Sequence, residues 1–264
     1  MALCVGASLL SACADDGPTT RSAGSAGNAS VRETALRDLR NGGSPDAVEQ
    51  AVATLGDLPR VTAADVAEVA ETSREGADAT IKISAIRVMQ QWLDRDPLRD
   101  AAARELMRTA RGPHQPMVRG VAMQAVALHP RASWPKDVVV ALGELVRTDP
   151  TAQNRSIASL ALGQVRGELA TTALASLVAA YEAEPDLGTR RSMLLNIVEV
   201  AGADAAGVLG SLPEGSALAQ QDIADYQAIL RSGATDPAAI WDAKLARDIA
   251  RGSVIGTEDG NDRN

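Results

Sequence analysis

A cation recurs along this chain at a nearly constant interval. Lys82, Arg119, Arg155 and Arg191 are separated by 37, 36 and 36 residues. Small or apolar residues follow each at the third, sixth and seventh positions: Ala85, Val88 and Met89; Ala122, Ala125 and Val126; Ala158, Ala161 and Leu162; Leu194, Ile197 and Val198. That spacing places them on one face of an α-helix. A period of this size is the signature of stacked helical hairpins, none of which can bury its apolar face alone. A second series keeps the same register. Thr62–Val66 and Trp134–Val138 lie two periods apart, and both begin with cap or turn chemistry. The dipeptides Gly112-Pro113, His129-Pro130, Asp149-Pro150, Glu184-Pro185 and Asp236-Pro237 fall between the apolar runs. A residue before proline is biased out of the helical region, so each marks a helix end.

The pattern predicts an all-α protein of roughly thirteen helices, arranged as about six antiparallel hairpins with a closing helix near 237–251. Composition agrees. Aromatic residues make up 2% of the chain and phenylalanine is absent, which disfavours sandwiches and barrels, whose cores lean on aromatic and β-branched side chains. Alanine at the third and sixth positions lets neighbouring helices approach closely, so a bulky or charged side chain at Ala122, Ala158 or Ala161 is expected to be costly.

The stretch Asp149-Pro150 through Arg155, Ala158, Ala161, Leu162 and Gly163 resembles the second helix of a HEAT repeat, with Asn154 in the usual valine place. The likeness spans roughly residues 45–232 and implies a right-handed α-solenoid over residues 31–251. It departs from the pattern in the copy at 187–201, where Leu194 and Ile197 replace alanine. In that family the recurring cations bridge to aspartates in turns of the same or the adjacent unit. The resemblance therefore makes Lys82, Arg119, Arg155 and Arg191 a structural ladder with Asp149 and Asp186, Asp78 lying similarly upstream; the alternative is an anion-binding row. It also implies a partner-binding face along the second helices. Helix geometry nominates Arg87, Gln124, Leu160 and Asn196, at the fifth position of each copy, with Glu199 beside them. Such a row of amides with one leucine suits a peptide or helix better than phosphate.

His114 and His129 flank the turns of one hairpin and lack the close spacing of a metal motif, so surface histidines are expected. Trp92 is expected in the core, Trp241 in the core as a cap, and Trp134 is open between core and interface. There is no Gly-rich phosphate loop followed by lysine, no Gly-x-Ser-x-Gly elbow and no His-Glu-x-x-His. The reading is that the chain is not an enzyme and holds no cofactor or metal. Formal net charge is −8, which argues against a nucleic-acid partner.

The N-terminus carries an address. Residues 2–12 form an apolar run too short to span a bilayer as a helix and ending in small residues, as a secretory signal does. Leu10-Ser11-Ala12-Cys13 resembles the bacterial lipobox. The likeness implies a signal peptide over 1–12, with Cys13 as the lipidated N-terminus. No Lys or Arg precedes Cys13, a departure from that pattern. Residues 13–30 read as the lipidated cysteine and a flexible tether, and 252–264 as a disordered tail. The expectation is an exported protein, lipid-anchored to a membrane of the bacterial cell envelope, that docks an envelope protein or peptide. The alternatives are a HEAT-like enzyme acting on nucleic acid or a cofactor, and a small-ligand or metal sensor built on His114 and His129.

Overall fold

The structure is a computed structural model that describes residues 23–129, 134–213 and 216–252. Cys13, the expected signal over 1–12, the tether as far as residue 22 and the tail from 253 lie outside the described residues. All regular structure among the described residues is helical. Thirteen α-helices follow one another: α1 (Ala23–Asn41), α2 (Pro45–Asp57), α3 (Ala63–Glu75), α4 (Ala79–Trp92), α5 (Arg99–Arg111), α6 (Pro116–Ala127), α7 (Lys136–Thr148), α8 (Ala152–Gly163), α9 (Ala170–Ala183), α10 (Leu187–Ala201), α11 (Ala205–Ser211), α12 (Ala217–Arg231) and α13 (Pro237–Ala250). α1 begins at Ala23, inside the stretch expected to be tether.

Local chemistry sets the starts. Thr62 and Asp65 form a reciprocal capping box at α3. The Asp78, Asp186 and Asp236 side chains accept from the backbone N–H three residues on, at 2.9, 2.7 and 2.9 Å, satisfying donors that the first turn leaves free. Pro45, Pro116 and Pro237 occupy first-turn positions of α2, α6 and α13, where a missing N–H costs nothing.

Consecutive helices pair as hairpins: α1 with α2, and so on to α11 with α12. Each even-numbered helix from α2 to α10 also lies against the next even-numbered one, and each odd-numbered helix from α1 to α7 against the next odd-numbered one. The core runs between these two ranks. Ala85, Ala122, Ala158 and Ala161 are buried there. Trp92 is fully buried, with its indole N–H donating to the Leu55 carbonyl at 3.2 Å.

The seams between even helices are lined by small and polar groups. The Ser156 and Ser192 hydroxyls meet at 3.0 Å across α8 and α10, Asn154 Nδ2 donates to the Pro116 carbonyl at 3.0 Å, and Thr189 Oγ1 donates to the Ala152 carbonyl at 3.2 Å. At Gly163 a Cβ would stand 2.8 Å from Asn196 Cβ and 3.0 Å from its Cα. Glycine is required there because the two backbones approach so closely. The array changes character at its end. α11 has only seven residues, and α13 packs onto the array through Ile240 and a group of buried charges.

Candidate functional site

Three of the four recurring cations form one device. Arg119 holds Asp149 through two bonds, Nε–Oδ2 at 2.9 Å and Nη2–Oδ1 at 3.1 Å. Arg155 holds Glu184 at 2.7 and 2.6 Å. Arg191 holds Asp222 at 2.7 and 2.9 Å. Asp149 and Glu184 are the C-cap residues of α7 and α9, so Arg119 and Arg155 each clamp the end of the next hairpin's first helix. Burial opposes ionisation of Asp149, but hydrogen bonds from Arg119, Thr151 and Asn154 outweigh it and hold the carboxyl below the usual range. Glu184 is likewise held low against its burial, by Arg155 and the Asp186 backbone N–H.

Two rungs differ from expectation. Asp186 is not an acceptor for Arg155; its side chain caps α10, and Glu184, two residues earlier, takes the guanidinium. Lys82 forms no ion pair with a described residue, because the corresponding C-cap, that of α5, is Gly112 and has no carboxylate. Glu184 and Asp222 were not singled out from the sequence. Glu184 had a signal, since it is acidic, precedes a proline and lies 29 residues after Arg155, as Asp149 lies 30 after Arg119. Asp222 lies inside a helix with no such mark.

The proposed binding row is split. Arg87, Gln124 and Leu160 are exposed on α4, α6 and α8. Asn196 is buried, donating to the buried Ser159 hydroxyl at 2.8 Å. The small side chains of Ser159 and Gly163 open the seam just where Asn196 enters it. Glu199 is partly buried and faces a different cleft, between α10 and α12. Trp134 is buried. Trp241 is 49% exposed, contrary to the expected core position, because α13 turns Ile240 and Lys244 inward and leaves Trp241 on its flank.

Arg87 lies at one end of the exposed even-rank face, in an open groove of about 640 Å³ shared with Glu49, Gln90 and Gln91. At the other end lies a cleft of about 350 Å³ lined by Ile157, Leu160, Leu195, Tyr226 and Trp241, with Ser156 and Ser192 at its seam. Beside that cleft sits a charged cluster. Lys244 is almost completely buried, 2.8 Å from Asp222, 2.6 Å from Asp248 and 3.6 Å from Asp225. Arg191 reaches Asp248 at 3.1 Å, and Arg251 reaches Asp225 at 2.9 Å and Asp248 at 2.8 Å. Burial pushes the Tyr226 phenol up, and the carboxylates of Asp222 and Asp248 push it further.

Asp222, Asp225 and Asp248 bring their oxygens within 4.8 Å of one another, the spacing of a cation site. An ammonium already fills it, and three guanidiniums, those of Arg191, Arg247 and Arg251, surround the carboxylates. The donor set therefore does not fit a metal ion, which needs oxygens free to coordinate. The histidines do not converge either. His114 precedes α6 and His129 follows it, so the helix's length of about 18 Å separates them. Burial pushes the His114 imidazole down, aided by Lys82, Arg119 and Arg74, and those cations repel a metal. His129 Nδ1 lies 2.8 Å from the Ala125 carbonyl and Nε2 lies 3.4 Å from Asp94.

Among the described residues one run, Leu187–Ser211, is apolar and long enough to cross a membrane. Met193, Leu194, Ile197 and Val198 within it are buried in the core. Compared with known proteins, the chain matches no family model, no curated protein and no solved structure.

Proposed function

We propose that the protein is a docking factor of the bacterial cell envelope: a right-handed, HEAT-like solenoid, tethered to a membrane through lipid on Cys13, that binds a partner protein or peptide along its even-numbered helices. The observation that carries this reading is the face bearing Arg87, Gln124 and Leu160. It ends in an apolar-walled cleft rimmed by two exposed apolar side chains, Leu160 and Trp241. The ionic groups lining that cleft, Arg191, Lys244, Asp222 and Asp248, are already paired with one another. They offer no spare charge for a charged ligand and no free acid or base for chemistry. An uncharged apolar segment suits this end of the face; the guanidinium of Arg87, which forms no ion pair with a described residue, suits an acidic or amide group at the other.

Anchoring raises the local concentration of the domain near membrane partners without any further contact. More than one acyl chain on Cys13 would hold firmly where a single chain binds only marginally. Photo-crosslinking in intact envelopes tests the docking face. A benzoylphenylalanine at position 160 or 241 is expected to give one discrete adduct, and the same probe at Val140, exposed on the odd-numbered rank, is expected to give none. Equal adducts at all three positions would contradict the reading.

A further inference from the structure

A separate cleft of about 410 Å³ opens between the end of α10, the turn Gly202–Asp204, α12 and the start of α13. Its walls are aliphatic. Val198 and Ile240 are buried, Leu230, Ala206 and Pro237 line the cleft with them, and Arg231 and Thr235 also border it. Glu199 stands in this wall, partly buried. Among the described residues it accepts no hydrogen bond and forms no ion pair.

The fully buried carboxylates among the described residues are paired instead. Asp65, Asp149, Glu184, Asp222 and Asp225 are buried carboxylates, and each is held by an arginine or lysine. A desolvated carboxylate without a partner is costly. Burial pushes Glu199 above the usual glutamate range, and Arg166 only partly offsets this. Arg166 acts through space, because its guanidinium is committed to the backbone carbonyls of Gly163 and Val165. The other groups facing Glu199 come from α12: Arg231, exposed on the cleft's edge, and the buried Tyr226 phenol. Glu199 is therefore a carboxylate in a largely aliphatic recess, and no cation among the described residues pairs with it.

We infer that this cleft receives a lysine side chain of a partner polypeptide, with the methylene stem against Val198, Leu230 and Ile240 and the ammonium on Glu199. A divalent metal is disfavoured, since one carboxylate supplies too few oxygens. Arginine is a poorer occupant because no aromatic ring lines the cleft for its guanidinium to stack on. An aliphatic stem with a compact charged head matches the walls and the single acceptor. The inference rests on reading the protein as a docking module, but the cleft is distinct from the Leu160–Trp241 surface. A failure here leaves the crosslinking result at 160 and 241 untouched, and the reverse holds as well.

The test is methyl-resolved NMR at pH 7 with the peptide acetyl-Ala-Ala-Lys-Ala-Ala-amide, its ε-acetylated form, and n-butylamine. The lysine peptide is expected to give saturable shifts at the Val198, Leu230 and Ile240 methyls. The ε-acetylated peptide is expected to give none, and n-butylamine to bind at least tenfold more weakly. Glu199→Gln removes an unpaired, partly buried charge, so it is expected to keep the native methyl spectrum and to weaken the lysine peptide at least tenfold. Absence of shifts, equal shifts with the ε-acetylated peptide, or unchanged binding in Glu199→Gln would overturn the proposal. Butylamine binding as tightly as the peptide would overturn the polypeptide as the source of the ammonium.

Discussion

Charged side chains in this protein are used one residue at a time to fix where each hairpin meets the next. Arg155 and Glu184 are 13% and 1% exposed, so removing the guanidinium leaves a buried carboxylate with only the Asp186 backbone N–H. Arg155→Ala is expected to lower stability by about 3 kcal/mol. The exposed pair Arg104–Asp137 is expected to contribute less than about 1 kcal/mol when broken by Arg104→Ala. Urea unfolding of both variants checks the contrast, and equal losses would contradict it. The same pairs set the response to acid. Asp149, Glu184, Asp225 and Asp248 are all held below the usual carboxylate range by cationic and hydrogen-bonding neighbours that outweigh their burial. A carboxyl whose folded pKa is depressed contributes stability above its unfolded value, near 4, and loses it as pH falls further. The urea midpoint is expected to hold from neutral pH to about pH 5 and to drop steeply below about pH 4. Glu199, raised instead, has the opposite sign: its contribution is present below the unfolded value and lost as pH rises through the raised one. At this scale the donors Arg119, Arg155 and Arg191 were legible because they repeat. Their acceptors were legible only where the acid also repeats, at Asp149. Asn196 was misplaced because helix geometry gives a direction around one helix and not the width of the seam beside it.

For the elements, backbone separation is the controlling quantity. Gly163 meets the Asn196 backbone, which cannot yield, so Gly163→Ala is expected to cost about 1–3 kcal/mol. At Gly56 an added Cβ would meet only the end of the Gln91 side chain, which can swing aside. Gly56→Ala is therefore expected to stay within about 1 kcal/mol of the parent. Melting curves of the two variants decide it; similar losses would contradict the close approach of α8 and α10. The last helix is different, since Lys244 inserts an ammonium among Asp222, Asp225 and Asp248. Lys244→Met is expected to loosen α13 selectively. Hydrogen exchange checks this: α13 amides lose protection while those of α3–α8 keep theirs, and uniform loss would contradict it. The hairpins and the closing helix could be read from the 36-residue period and the prolines, whereas Asp78 and Asp186, expected as ladder acids, cap α4 and α10. The end of the array could not be read, because α11 and α12 carry no repeat of the cation pattern and the cluster joins residues from α10, α12 and α13.

Across the whole molecule, the scarcity of aromatic side chains, the alanine-lined core and the two ranks of helices belong to one account. Helices that pack through small side chains lie close together, and the order of stacking follows the order of the chain. The proposed lipid anchor belongs to the same scale. Cys13→Ala is expected to release the protein to the soluble fraction and abolish metabolic lipid labelling; unchanged membrane fractionation with retained labelling would contradict it. The composition made the helical class legible, whereas the proposed partner remained outside the sequence because a docking face would be defined by which residues a fold leaves uncovered. The central claim is that the hairpins stack in sequence order as an open array. Electron–electron spin distances in the protein carrying Cys4→Ser and Cys13→Ser, with label pairs at Arg87 and Leu160 and at Arg87 and Ala224, test it most directly. Packed helices lie 8–10 Å apart, so the account predicts about 18 Å across two steps of the even rank and about 35 Å across four. An Arg87–Ala224 distance no longer than the Arg87–Leu160 distance would contradict it.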